Sequence, residues 1–158
     1  MIVIADTSPV CYLVIIDQID LLFHLYGSIT IPTIVQAELE SPNAPPSVHD
    51  WIRQPPSWLN IQSLNQPPDP SLNRLDLGEQ AAIALAEQLS ANLLLIDERM
   101  GRQIAQQRGL NIIGLIGVLD EAATRKLIYL PTIVDRLQQT TFRISLRILE
   151  SLLQKHLG

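Results

Sequence analysis

At 158 residues, with 47% apolar and 4% aromatic side chains, the chain is long enough for one substantial core, and that core must be aliphatic. A single cysteine, Cys11, excludes an internal disulfide, and no uninterrupted apolar run approaches the roughly 18 residues of a membrane span, so a soluble, cytoplasmic chain with no membrane contact is expected. The net charge of −5 argues against nonspecific attraction to nucleic acid, but it is unevenly spread: residues 1–78 carry two basic and eight acidic side chains, and from Arg99 onward nine basic face four acidic.

In chain order, Ile2-Val3-Ile4-Ala5 runs without polar alternation into Asp6-Thr7-Ser8. That pattern predicts a strand buried on both faces, as in a parallel sheet, with Asp6 where the strand leaves the core. Pro9 to Ile16 predicts a helix with Ser8 as its cap and Pro9 in its first position. A second short helix follows through Leu21, Leu22 and Leu25 and is closed by Gly27. Ser28 to Ile31 predicts a short strand, and Pro32 opens a helix carrying Ile34, Val35 and Leu39 on one flank and Glu38 beyond them.

Residues 41–75 hold eight of the eleven prolines and are expected to form a proline-stiffened excursion. Within it, Val48 to Gln54 suits a short helix with Trp51 and Ile52 inward, and Leu59 to Leu64 an edge strand. Leu77-Gly78-Glu79 starts the clearest helix, which runs from Gln80 to Leu89. Leu93 to Ile96 is a second fully apolar strand, ending in Asp97. A helix from Glu98 to Arg108, a short strand Asn111–Ile113, and helices from Leu115 to Lys126, Pro131 to Gln139 and Ser145 to His156 complete the chain. Repeating strand and helix units imply an α/β fold on a parallel sheet with right-handed crossovers.

Two apolar strands thus end in Asp6 and Asp97, and in a parallel sheet both project at one edge, where ligands bind. Glu79 occupies the first turn of the helix leading into the second strand, where the macrodipole favours a carboxylate. Glu38 reaches the same edge if its helix packs across it. Each acid alone reads more readily as a cap or turn residue. Four together without basic partners repel unless a cation sits among them, and all-oxygen ligation suits Mg²⁺ or Mn²⁺ rather than zinc.

The chain resembles the PIN-domain ribonucleases along nearly its whole length. The resemblance rests on Ala5-Asp6-Thr7-Ser8-Pro9, on Leu77-Gly78-Glu79 with Ala82-Ile83-Ala84-Leu85-Ala86, on Ile96-Asp97 with Gly101-Arg102 and Ala105, and on Gly114-Leu115-Ile116-Gly117-Val118-Leu119. It implies a single PIN-like domain over 1–158, a three-layer α/β/α fold with a central parallel sheet of about 4–5 short strands. It further implies an Mg²⁺- or Mn²⁺-dependent endoribonuclease, a hydrolase acting on RNA, and the toxin of a toxin–antitoxin pair with a small antitoxin as partner. Asp6, Glu38, Glu79 and Asp97 match the catalytic, metal-binding acids. The third acid is commonly Asp in the family; here it is Glu79, and Asp76 stands three residues earlier to substitute or assist.

Thr7 and Ser8 are supporting candidates, as hydroxyls that orient water or phosphate beside Asp6 or as helix caps. Arg102 is another, meeting a phosphate or pairing on its own helix. Glu98 and Asp120 read as surface charges, Cys11 as core, and Trp51 and Trp58 as packing or a partner interface, with stacking on bases the alternative. The final helix, 145–156, has apolar surface enough to pack on the domain or on a second copy in a homodimer. Two other functions are weighed. A haloacid-dehalogenase-type phosphatase wants a second Asp where Ser8 stands. A non-catalytic binding module would keep the acids for docking.

Overall fold

The protein is described by a computed structural model covering residues 1–157. Its five strands are β1 (Val3–Ala5), β2 (Ile29–Pro32), β3 (Leu59–Gln62), β4 (Leu93–Leu95) and β5 (Ile112–Ile113). The helices are α1 (Thr7–Ile15), α2 (Leu21–Tyr26), α3 (Thr33–Leu39), α4 (Pro46–Arg53), α5 (Leu77–Gln88), α6 (Arg99–Gln107), α7 (Leu115–Thr124), α8 (Leu130–Gln138) and α9 (Leu146–Lys155), with a 3-10 turn at Pro70–Leu72.

All strand pairings are parallel, in the order β3-β2-β1-β4-β5, so the first strand is the central one. Alternation along the strands splits the core in two. Val3, Ala5, Ile29, Ile31 and Leu95 face a large layer with α1, α3, α4, α7 and α8. Ile4, Leu94 and Ile96 face a smaller one with Leu72, Ala82, Ile83, Leu85 and Ala105, carried mainly by α5 and α6. This is the expected three-layer α/β/α arrangement. The small alanines of α5 let that helix lie close on the sheet.

Helix boundaries moved where capping chemistry differs from the expectation. α1 begins at Thr7 with Asp6 in the cap position, two residues earlier than a Ser8 cap would place it, so Ser8 and Pro9 lie inside the helix. α5 begins at Leu77 because Asp76 caps it, its Oδ1 accepting from the Glu79 amide at 2.8 Å. Gly27 and Gly109 close α2 and α6 with positive φ, +82° and +80°.

The proline segment is stitched to the smaller layer. Arg108 on the end of α6 grips Glu87 with Nε at 3.1 Å and Nη2 at 2.7 Å, while its Nη1 donates to Ser71 at 3.0 Å. Trp51 and Trp58 pack against each other at 6.2 Å between ring centroids. Leu149 and Leu152 dock α9 on the core, and Leu146 and Ile148 remain 68% and 52% exposed. Among the described residues, no helix is long and apolar enough to cross a membrane.

Candidate active site

The carboxyl edge of the sheet brings the expected acids together. Asp6 leaves β1 with its amide tied to the Leu95 carbonyl at 2.9 Å, which locks it beside the end of β4. It is only 4% exposed. Glu38 arrives on α3, and its carboxylate accepts a short hydrogen bond from the Thr7 hydroxyl. Glu79 arrives in the first turn of α5 and is 6% exposed. Asp6 and Glu79 are the buried polar or charged residues of the core among the described residues.

Two glycines make this approach possible. A Cβ on Gly78 would run into the Glu38 carboxylate, its Cδ 2.9 Å away. A Cβ on Gly114 would stand 2.6 Å from the Asp97 Oδ1. These motif glycines are therefore space for acids from neighbouring elements.

Asp6, Thr7, Ser8, Glu38, Asp76 and Glu79 line one cleft of about 500 Å³. Two residues depart from their expected places. Asp97 stands next to Asp6 but does not line the cleft: its Oδ1 accepts from the Leu115 amide at 2.9 Å, which caps α7. Arg102 does not reach into the cleft either. Its Nη1 donates to the Ile96 carbonyl at 3.0 Å, and its guanidinium flanks Asp97. An arginine committed to a strand-end carbonyl is a brace for Asp97, not a hand for phosphate.

Other lining residues combine their expected place with a second one. Glu98 is exposed, as expected of a surface charge, yet it caps α6, accepting from the Met100 amide at 3.2 Å, and lines the cleft. Cys11 packs against the core, as expected, but is only half-buried and also stands on the cleft wall with Tyr12 and Ile15. The signal was present: Ser8, Cys11, Tyr12 and Ile15 follow the i, i+3, i+4, i+7 spacing of one helix face.

Burial dominates the electrostatics. It lifts Asp6 to about 7, opposed by the Thr7 amide and reinforced by Asp76, Glu38 and Asp97. Glu79 is pushed well above the usual carboxylate range, first by burial, then by a hydrogen bond with Asp76 and by the charges of Asp76, Asp6 and Glu98. Burial also raises Asp97, against the pull of the Leu115 amide and Arg102. Among the described residues, two buried side-chain polar atoms have no partner: Asp6 Oδ1 and Asp97 Oδ2.

Orphaned anionic oxygens on adjacent strands, with further acids on the cleft wall, are the donor set of a hard divalent cation. In chemistry and charge the residues fit Mg²⁺ or Mn²⁺. Among the described residues, no three His, Cys, Asp or Glu side chains stand within reach of one shared ion.

No curated protein matches the chain. Among solved structures, a PilT N-terminus domain protein from the archaeon Sulfolobus solfataricus P2 is similar, with a TM-score of 0.57 and 17% identity over 77% of this chain and 93% of that one. At that identity the likeness is one of fold. The family model DUF3368, a PIN domain, matches residues 2–157. That match spans the sheet, every acid of the cleft and the helices that carry them, and the chain belongs to the PIN-domain family.

Proposed function

We propose that the chain is a divalent-metal-dependent endoribonuclease that hydrolyses RNA phosphodiesters. The observation that carries this reading is the pair of buried, unpartnered oxygens, Asp6 Oδ1 and Asp97 Oδ2, at an edge also reached by Glu38 and Glu79. PIN domains are generally nucleases, which supports it further.

Asp6, Glu38, Glu79 and Asp97 would hold the Mg²⁺ or Mn²⁺. A carboxylate-bound divalent ion lowers the pKa of water and offsets charge on a phosphodiester. The chain's own residues prepare the place. Thr7 fixes the Glu38 carboxylate. The Leu115 amide holds Asp97 by one oxygen and leaves the other free. Ser8 presents a hydroxyl to the cleft. Burial of Asp6 and Glu79 keeps bulk water from screening the site.

The wider reading is the toxin of a toxin–antitoxin pair, acting in the cytoplasm, with a small protein antitoxin. The exposed Leu146 and Ile148 on α9 support a homodimer. The test is cleavage of RNA with Mn²⁺ by the unmutated protein, Asp6→Asn and Asp97→Asn, with loss of cleavage expected in both variants. Equal activity in all three sinks the assignment.

A second reading, a non-catalytic binding module, is favoured by the spread of the acids, no three of which share one ion position as they stand among the described residues. Mn²⁺ titration separates the two: the nuclease binds the ion at these acids and the module does not.

A further inference from the structure

We propose that Tyr12 is the base platform of the cleft, the side chain on which an unpaired nucleobase of the bound strand stacks. The inference rests on the nuclease reading and names the residue that grips the strand next to the acids.

The cleft has two unlike walls. One is anionic: Asp6, Glu38, Asp76, Glu79 and Glu98. The other is neutral: Cys11, Tyr12, Ile15, Pro45 and Thr141. No Lys, Arg or His lines it. A strand bound here gains little from direct phosphate contacts, and a net charge of −5 gives it little long-range attraction. Away from the metal, affinity must come from the bases. Stacking on an aromatic ring needs no charge and accepts any unpaired base.

Tyr12 is the cleft's aromatic residue, and its placement suits that work. It lies four residues after Ser8 on the same face of α1, about 6 Å further along the helix. A nucleotide whose phosphate meets the acids therefore lays its base along α1 towards Tyr12. The ring is also immobilised from outside α1. Its hydroxyl is 2.8 Å from the Thr141 Oγ1, and its ring meets Phe142 in a T-shaped contact, centroids 5.1 Å apart at 75°. That geometry leaves at least one face of the Tyr12 ring uncovered by Phe142. The segment doing this is itself pinned: the Thr140 hydroxyl donates to the Leu137 carbonyl at 2.6 Å and accepts from the Phe142 amide at 3.1 Å. An aromatic held by its hydroxyl, by Phe142 and by packing of its stem on the core stacks at low entropic cost.

The experiment uses the full chain and RNA heptamers carrying 2-aminopurine at each position in turn, with Ca²⁺ replacing Mn²⁺ to keep the strand intact. In the unmutated protein, fluorescence is quenched most strongly at one position. Tyr12→Phe and Tyr12→Trp keep that quench. Tyr12→Leu loses it and binds about tenfold more weakly, within the range of a single base stack. With Mn²⁺, Tyr12→Leu raises KM by a similar factor and leaves kcat within about twofold. Should Tyr12→Leu fail to fold, 4-thiouridine RNA cross-linked to the unmutated protein gives the answer. Attachment at Tyr12 is expected, and attachment only elsewhere overturns the proposal. If the protein cleaves RNA but Tyr12→Leu matches it in quench, Kd and KM, the platform is refuted and the nuclease reading stands. If the unmutated protein neither binds nor cleaves RNA, both fall.

Discussion

The Thr7 hydroxyl donates to the Glu38 carboxylate, joining the first turn of α1 to α3 across 31 residues of chain. Thr7 is the residue after the buried Asp6, so this bond sets where an acid from another helix stands relative to the strand-end acid. Thr7→Val removes the donor at nearly constant shape. It is expected to weaken Mn²⁺ binding and cleavage about tenfold while costing about 1 kcal/mol of stability. Thr7→Ser should restore both. Calorimetric titration and a thermal melt on the same samples check this, and unchanged Mn²⁺ affinity in Thr7→Val would contradict it.

Gly78 offers a variant that separates activity from folding. Gly78→Ala places a Cβ against the Glu38 carboxylate, 2.9 Å from its Cδ. Alanine otherwise suits a helix better than glycine by roughly 0.5–1 kcal/mol, so the melt should change little. Displacing Glu38 by about an ångström is expected to cost on the order of a hundredfold in cleavage rate. A variant as active as the parent would remove Glu38 from the site.

The two oxygens of Asp97 have different surroundings, one bonded to the Leu115 amide and one without a partner, and two substitutions divide the roles proposed for them. Asp97→Asn keeps an acceptor for the Leu115 amide, so stability should hold while cleavage is lost. Asp97→Ala loses both, with about 1 kcal/mol added to the cost for the missing cap. Asp76 divides in the same way: Asp76→Asn preserves the cap on the Glu79 amide and removes one negative charge beside Glu79. Denaturant melts paired with cleavage assays read both outcomes.

The raised carboxylates predict an unusual pH dependence. Asp6 holds its proton up to about 7 in the fold, against 3.8 ordinarily. The native state therefore binds that proton more tightly than the unfolded chain, and stability is lost as pH rises through the window from about 4 to about 7. At about 1.4 kcal/mol per pKa unit the full effect for Asp6 is about 4 kcal/mol, and Glu79 acts in the same direction. In EDTA the melting temperature is expected to fall across that window and on to about 8, where Glu79 has also given up its proton, and then to level off. Mn²⁺ should restore it on the alkaline side, because the ion binds the ionised acids. A melting temperature in EDTA that climbs with pH from 4 to 7 would show that the acids are not held protonated.

Much of this was readable from residue order because buried parallel strands and strand-end acids leave strong local marks. Ile2 to Asp6 and Leu93 to Asp97 announced two strands and their shared edge. The family motifs placed Glu38 and Glu79 there as well. What could not be read depends on contacts between distant segments. Nothing near Asp97 says that its carboxylate caps a helix starting 18 residues later. Glu98 is the surface charge its sequence suggests, but its cap on α6 and its place on the cleft wall cannot be told from plain solvent exposure in one dimension. Cys11 packs on the core as its apolar helix suggests, and only the fold shows that it also meets the cleft. The wall behind Tyr12 is supplied by Thr141, 129 residues away.

The central position of β1 has a consequence for how the molecule comes into being. The ribosome delivers the middle strand first, and its inner flank stays open until residues 93–95 emerge to pair with Val3–Ala5. Ile2 then finds Asn92, its amide donating to the Asn92 side chain at 2.7 Å. Leu115 must follow before Asp97 is anchored. Contacts of such separation form late and slowly. A nascent chain stalled short of Leu115 carries all four acids but lacks the amide that holds Asp97 in place.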